Sequence, residues 1–221
     1  MGVWAVLVAA GRGERLGEDR PKAFVALGGM PLLAEPLRRL DESAHVDAVV
    51  VVAPPGWEEP AILLAEELGA SKVSACVAGG ETRADSVRAG VAEVPDDAAV
   101  ILVHDAARPL VTDEVIGRVL GALAEGFDGA VPGLPVSDTI KRVDGGGVVV
   151  ETLDRGALAA VQTPQAFAAP VLRACVASAG AATDCASLVE RGGGRVKVVA
   201  GDERLLKVTT RADLERVAAW L

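Results

Sequence analysis

Short runs rich in Val, Ile and Leu recur at 3–9, 46–53, 72–77, 98–103 and 127–132, and amphipathic stretches of helical length separate them. This alternation restricts the chain more than any other feature, because strand-length apolar runs interleaved with helices are the pattern of βαβ units and a parallel sheet. Helices are predicted near 31–42, 57–69, 82–93, 112–124, 168–179, 184–191 and 210–220; in the first, Pro31 stands at the start and Leu33, Leu37 and Leu40 share one face. The expected fold class is α/β, a Rossmann-like, mostly parallel sheet with helices on both faces. Right-handed crossovers place the loops that follow the strands on one edge of such a sheet, where open α/β folds bind ligands. Three distinctive loops fall there: Ala9 to Lys22, Ala78 to Ser86, and His104 to Pro109.

One segment breaks the alternation. Val136 to Val143, the Asp144-Gly145-Gly146-Gly147 turn, and Val148 to Thr152 read as a β-hairpin. A two-stranded ribbon is marginal alone, so a protruding β-hairpin arm at about 134–154 calls for a partner to cover it, and a homodimer through the arm is expected. No repeat or linker divides the rest, so residues 1–221 are expected to form a single domain.

With 51% hydrophobic and 24% charged residues in 221, the chain can build a sizeable core, and neither a disordered nor a collagen-like chain fits. The formal charge of -9 argues against nucleic acid or an anionic membrane as a general partner, so an anionic ligand must meet locally gathered cations. Gly2 to Ala10 lacks the basic flank of a signal peptide and reads as a buried strand. Elsewhere no run approaches the roughly 18 apolar residues of a membrane span. Cys76, Cys175 and Cys185 are an odd number at irregular spacing, which signals neither a disulfide framework nor a zinc site. A soluble protein of the reducing cytoplasm is expected.

The first loop carries Ala9-Ala10-Gly11-Arg12-Gly13-Glu14-Arg15-Leu16-Gly17 and then Arg20-Pro21-Lys22. Glycines after a buried strand let backbone amides approach a phosphate, and Arg15 and Lys22 add charge-assisted hydrogen bonds, an arrangement suited to a triphosphate. A solvated glycine-rich turn is the plain alternative. A Walker A loop is excluded because no Gly-Lys-Ser/Thr ends the run. A dinucleotide site is disfavoured because the second strand ends in Ala53-Pro54-Pro55, without the acid that would hold a ribose.

The third loop brings Asp105 and Arg108 to a strand end. Asp105 there suits Mg²⁺, which binds through one or two carboxylates plus substrate phosphates, and Arg108 suits a second anion. An Asp105–Arg108 ion pair that merely ties the loop is the alternative at equal weight. His104 follows an apolar strand and reads as structural. With no G-x-S-x-G elbow and ordinary surroundings for each cysteine, nucleophilic catalysis is set aside.

Eight motifs occur in order: Ala9-Ala10-Gly11-x-Gly13-x-Arg15-x(5)-Pro21-Lys22; Gly79-Gly80-x-x-Arg83-x-Asp85-Ser86-Val87; Val103-His104-Asp105-Ala106-Ala107-Arg108-Pro109; Asp138-Thr139-x-Lys141; Asp154-Arg155; Thr163-Pro164-Gln165-x-Phe167; Thr183-Asp184-x-Ala186-Ser187; and Lys207-Val208-Thr209. Together they resemble the 2-C-methyl-D-erythritol 4-phosphate cytidylyltransferase family of the non-mevalonate isoprenoid pathway, from residue 5 to the C-terminus.

The resemblance implies transfer of a cytidylyl group from CTP to the sugar-alcohol phosphate with release of pyrophosphate. It implies that Arg15, Lys22 and Lys207 act on the triphosphate, with Asp105 as ligand to Mg²⁺. Ala9, Ala10, Gly11, Gly13, Gly80 and Ser86 are implied on the nucleotide side, and Arg108, Thr139, Arg155, Thr163 and Thr183 on the sugar-phosphate side. Thr139 and Arg155 are implied to enter the neighbouring subunit's site. The chain departs from the family pattern at Ala23-Phe24, where Gln-Tyr is usual, at Leu205, near which an Asn is usual before the final lysine, and at Cys185, where an acid is usual. A transferase for another polyol phosphate such as ribitol 5-phosphate, a regulatory nucleotide-binding protein and a nicotinamide oxidoreductase are the competing readings.

Overall fold

The computed structural model describes residues 2–11, 13, 16–17, 19–177 and 184–221. The elements run β1 (Val3–Val8), β2 (Ala26–Leu27), β3 (Met30–Pro31), α1 (Ala34–Glu42), β4 (Ala48–Ala53), α2 (Glu58–Glu67), β5 (Val73–Ala78), α3 (Arg83–Ala92), β6 (Val100–Asp105), α4 (Asp113–Ala124) and β7 (Gly129–Pro135). They continue with β8 (Lys141–Val143), β9 (Val149–Thr152), β10 (Ala159–Val161), β11 (Gln165–Ala168), α5 (Ala169–Ala177), α6 (Cys185–Arg191), β12 (Val196–Ala200) and α7 (Arg211–Ala218).

The main sheet has the order β10-β7-β11-β6-β1-β4-β5, with β12 on the opposite edge of β7. The pairs β6-β1, β1-β4, β4-β5 and β12-β7 are parallel, while β10 and β11 run antiparallel to their neighbours. The mostly parallel sheet is therefore observed, with antiparallel strands inserted on one side. From β1 the chain steps through β4 to β5 and then returns to lay β6 on the other flank of β1, so the strand order reverses at β1.

The period-two geometry of strands explains how the layers form. Ala5, Leu7, Val49, Val51, Ala53 and Leu102 face one core with α1, α2 and α4, while Val6, Val50, Val52, Ile101 and Val103 face another with α3, α5 and α6. Strands covered on both faces need continuous apolar runs, as Ala48–Ala53 is, with every residue buried. A third cluster joins α7, through Leu214 and Val217, to Val25, Leu27, Leu32, Leu110 and Val208. The packing of α7 fixes the segment that carries Lys207.

Each expected helix is present and starts one to three residues later than expected. The first begins at Ala34 rather than 31 because Met30–Pro31 pairs with Ala26–Leu27. The arm is a two-stranded sheet of its own, β8 with β9, whose Val143, Val148, Val149 and Val150 are all exposed. Its first strand is only Lys141–Val143, shorter than the 136–143 expected.

A candidate active site at the reversal of strand order

A cavity of about 800 Å³ opens where the C-terminal ends of β1, β4, β5 and β6 meet. This is the crevice in which a doubly wound sheet binds ligands, because the loops on either side of the reversal diverge there. Ala9, Ala10 and Gly11 line it from β1, Pro54, Pro55 and Trp57 from β4, Gly79 to Arg83 from β5, and Asp105 to Ala107 from β6.

Close backbone approach explains the glycines. A Cβ on Gly79 would stand 2.2 Å from Ala10 Cβ and 2.9 Å from Ser86 Oγ, and one on Gly80 only 2.3 Å from Asp85 Cβ. The β5 loop can therefore lie against Ala10 of the β1 loop, and fold back on the start of α3, only without side chains at Gly79 and Gly80 respectively. Ser86 Oγ accepts from Gly80 N at 3.2 Å and donates to Thr82 O at 3.0 Å, so its hydroxyl shapes this wall. Thr82 and Asp85 cap α3 reciprocally, which aims the helix's first residue, Arg83, at the hollow.

Lys22 begins a short 3-10 helix, Lys22–Phe24, after Pro21. Phe24 is buried and packs against Trp57 with ring centroids 4.6 Å apart, so the hydrophobic contact anchors the turn that presents the lysine. Lys22 Nζ donates to Val208 O at 3.2 Å, and Gly13 lies so close that a Cβ there would be 2.6 Å from Lys22 Cβ.

Asp105 is the buried charge of the site, 7% exposed. Its Oδ1 accepts from Arg83 Nε at 3.0 Å and Nη2 at 2.9 Å, and its Oδ2 from Lys207 Nζ at 2.7 Å. Burial pushes its pKa up, but the Arg83 and Lys207 cations outweigh that and hold the carboxyl well below the usual carboxylate range. The guanidinium of the expected alternative partner, Arg108, is not paired with this carboxylate. Arg108 instead donates to Leu205 O at 2.6 Å and Val161 O at 3.4 Å, and burial lowers its pKa.

Behind Asp105 lies a buried network. Asp105 N donates to Thr163 Oγ1 at 3.1 Å, Thr163 Oγ1 lies 3.0 Å from His104 Nδ1, and His104 Nε2 lies 2.9 Å from Arg108 O. A carbonyl can only accept, so Nε2 carries the proton and the threonine hydroxyl donates to Nδ1. Burial pushes the His104 pKa down to about 4, which keeps the ring neutral at pH 7. The sequence-based reading of His104 as structural agrees with this geometry.

The hollow thus gathers Ala9, Ala10, Gly11, Lys22, Gly80, Ser86, Asp105 and Lys207 of the residues singled out from sequence. Gly13 stands beside Lys22 rather than on the wall. Thr163 is buried behind the wall, where its hydroxyl accepts from Asp105 N and faces His104 Nδ1. Arg108 also stands off the wall. Thr139 and Arg155 are exposed at the arm, where Arg155 donates to Ser137 O. Arg15 and Thr183 lie outside the described residues.

Arg83 had no role in the sequence reading, although it stands in the Gly79-Gly80-x-x-Arg83 motif. A basic residue at the first turn of a helix, against the dipole's preference, was the available signal. Pro54 and Pro55 registered only as a missing acid and Trp57 only as the start of a predicted helix, yet they form a wall.

No group of three or more His, Cys, Asp or Glu side chains suited to a metal occurs among the described residues. Among the described residues Asp105 is the only buried carboxylate of the hollow, and Oδ2 faces a flexible ammonium that can turn toward phosphate. That donor set fits a hard cation which takes one carboxylate and completes its shell with phosphate oxygens and water. Burial pushes the Cys185 thiol up to about 11. No helix of the described residues is long and apolar enough to cross a membrane.

Residues 3–221 match the 2-C-methyl-D-erythritol 4-phosphate cytidylyltransferase family. The chain belongs to this family. A Nocardia farcinica protein of that name is 51% identical over 212 residues, covering 96% of this chain and 90% of the relative. The crystal structure of 2-C-methyl-D-erythritol 4-phosphate cytidylyltransferase from Thermus thermophilus superposes with a TM-score of 0.78 at 34% identity, covering 98% of this chain and 97% of that one. That of 4-diphosphocytidyl-2C-methyl-D-erythritol synthase from Anaerococcus prevotii gives 0.84 at 26% identity, covering 99% and 97%. Across the family match, the motif loops of this chain meet at the strand-order reversal.

Proposed function

We propose that this chain transfers the cytidylyl group of CTP to 2-C-methyl-D-erythritol 4-phosphate, forming 4-diphosphocytidyl-2-C-methyl-D-erythritol and releasing pyrophosphate. The observation that carries this reading is the meeting of Lys22, Arg83 and Lys207, from three distant parts of the chain, in one hollow where Arg83 and Lys207 hold the Asp105 carboxylate. Family membership over nearly the whole chain supports the choice of substrates.

In the reaction, a phosphate oxygen of the acceptor attacks the α-phosphorus of CTP in line with the departing pyrophosphate. A P–O bond forms there and the bond to the β-phosphate bridging oxygen breaks. A phosphate monoester with its second pKa near ~6 is mostly dianionic at pH 7 and needs no general base. The obstacle is repulsion: at an effective dielectric of ~20, two unit charges ~4 Å apart interact by about 4 kcal/mol. Preorganised cations offset it and stabilise charge on the transferring group.

In this reading Lys22 and Lys207, with Arg15, grip the triphosphate. Arg83 keeps Asp105 ionised and aimed. Asp105 would hold Mg²⁺, which supplies further neutralisation of phosphate charge when bound. Ala9, Ala10, Gly11 and Gly80 offer backbone to the nucleotide, with Ser86 holding their wall in shape. Arg108 and Thr183 belong to the acceptor side. The exposed valines of the arm support a homodimer in which Thr139 and Arg155 enter the partner's site. Three cysteines at irregular spacing are consistent with a reducing cytoplasm.

The test is pyrophosphate release with each of four nucleoside triphosphates against a panel of acceptors, with and without Mg²⁺. CTP with 2-C-methyl-D-erythritol 4-phosphate and Mg²⁺ is the expected productive combination. Faster turnover with ribitol 5-phosphate, or none with the methylerythritol phosphate, overturns the substrate assignment.

A further inference from the structure

The four residues Asp105 to Arg108 form a turn closed by Arg108 N donating to Asp105 O at 2.9 Å. His104 Nε2 holds the carbonyl of the same Arg108 at 2.9 Å, so both backbone polar groups of that residue are fixed. From the other side of the imidazole the Thr163 hydroxyl reaches the Asp105 amide. His104 is 0% exposed and Thr163 4%, and both side chains lie behind the residues that line the hollow.

We infer that His104 and Thr163 are positioning residues that join the Asp105 carboxylate and the Arg108 turn into one rigid unit, setting the spacing between the nucleotide and acceptor sides of the site. Every hydrogen-bonding atom of the relay is used once and in one direction, from the Asp105 amide through the hydroxyl and imidazole to the Arg108 carbonyl. Such a satisfied buried network has one low-energy arrangement, and breaking either end leaves a buried group unpaired. The Arg108 guanidinium extends the unit to Leu205 O, two residues before Lys207. A shift of the turn would therefore move acceptor-side charge relative to the carboxylate, with the chemistry at phosphorus otherwise intact.

This inference rests on the proposed place of Arg108 on the acceptor side, and the experiment separates the two. Steady-state constants for CTP and acceptor are measured for wild type, Arg108→Ala, His104→Asn, His104→Gln, Thr163→Val and Thr163→Ser, each checked for an unchanged circular-dichroism spectrum and native oligomeric state. Asn keeps an acceptor near Nδ1 but loses the donor to Arg108 O, whereas Gln keeps a donor near Nε2. Loss of one buried hydrogen bond predicts an acceptor KM raised about tenfold in folded His104→Asn, with the CTP KM within about twofold of wild type and partial recovery in His104→Gln. Thr163→Val should show a similar loss and Thr163→Ser recover it. If Arg108→Ala raises the acceptor KM while folded His104→Asn and Thr163→Val leave it unchanged, the positioning role is wrong. An unchanged acceptor KM in Arg108→Ala removes the acceptor-side assignment beneath it and overturns the inference with it. Should a histidine variant fail to fold, the Thr163→Val and Thr163→Ser pair decides the same question.

Discussion

Lys207 Nζ lies 2.7 Å from Asp105 Oδ2, an ion pair that ties together positions 102 apart in sequence at the mouth of the hollow. The lysine side chain is 39% exposed and the aspartate 9%, so the cation can turn toward a phosphate while the carboxylate stays where Arg83 holds it. The lysine's worth is therefore expected in turnover rather than in folding. Lys207→Ala should lower kcat by roughly two to three orders of magnitude, as removal of a transition-state charge partner does. Because the pair is partly solvated, Tm should fall only a few degrees. Steady-state kinetics beside differential scanning calorimetry test this; wild-type turnover in the variant would remove Lys207 from the chemistry.

Asp105 also predicts a pH dependence of stability. Its folded pKa lies below the unfolded value of about 3.9, so the unfolded state binds more protons in the window between them. The stabilisation is complete above that unfolded value and is lost as pH falls toward the folded one. Urea midpoints should therefore drop more steeply below about pH 4 in wild type than in Asp105→Asn, whose amide does not titrate. Equal slopes for the two proteins would show that the ion pairs with Arg83 and Lys207 do not persist in solution.

Gly80→Ala tests the packing of the loop after β5 against the first turn of α3. The added methyl would stand 2.3 Å from Asp85 Cβ, inside the capping box that starts α3. Something must move, and overpacking of this kind costs about 1–3 kcal/mol. The expected outcome is a CTP KM raised about tenfold, corresponding to 1.4 kcal/mol, with the acceptor KM nearly unchanged. Calorimetric titration with CTP measures it directly.

How much of this was legible beforehand follows from what each element is made of. The strands β1, β4, β5, β6 and β7 are apolar runs, visible because both faces of the sheet are covered. β11 escaped because Gln165-Ala166-Phe167-Ala168 has no β-branched residue and owes its state to pairing with β6 and β7. β12 carries Lys197 as its second residue and is not among the expected strands; its parallel pairing with β7 makes it one. At the site, spacing located the loops and their glycines, but pairing between loops was not encoded locally. Asp105 and Arg108 are close in sequence and unpaired, while Arg83 and Lys207 are far away and paired. Thr163 matched a motif, yet only tertiary structure shows that its hydroxyl faces inward.

The proposed homodimer can be tested through function. Arg155 is exposed on the arm and absent from the wall of its own chain's cavity, whereas Lys22 lines that cavity. If Arg155 serves the partner's site, each single variant kills both sites of its homodimer in a different way: Lys22→Ala by its own pocket, Arg155→Ala by its neighbour's. A mixed dimer then contains one site with both defects and one with neither. Co-expression with two affinity tags isolates that dimer, and its expected kcat is about half that of wild type per dimer, from arithmetic on independent sites. If Arg155 instead serves its own subunit, each site of the mixed dimer retains one defect and no activity returns. Sedimentation at micromolar concentration provides the companion measurement, and a monomer there would leave the valines of the arm exposed without the proposed cover.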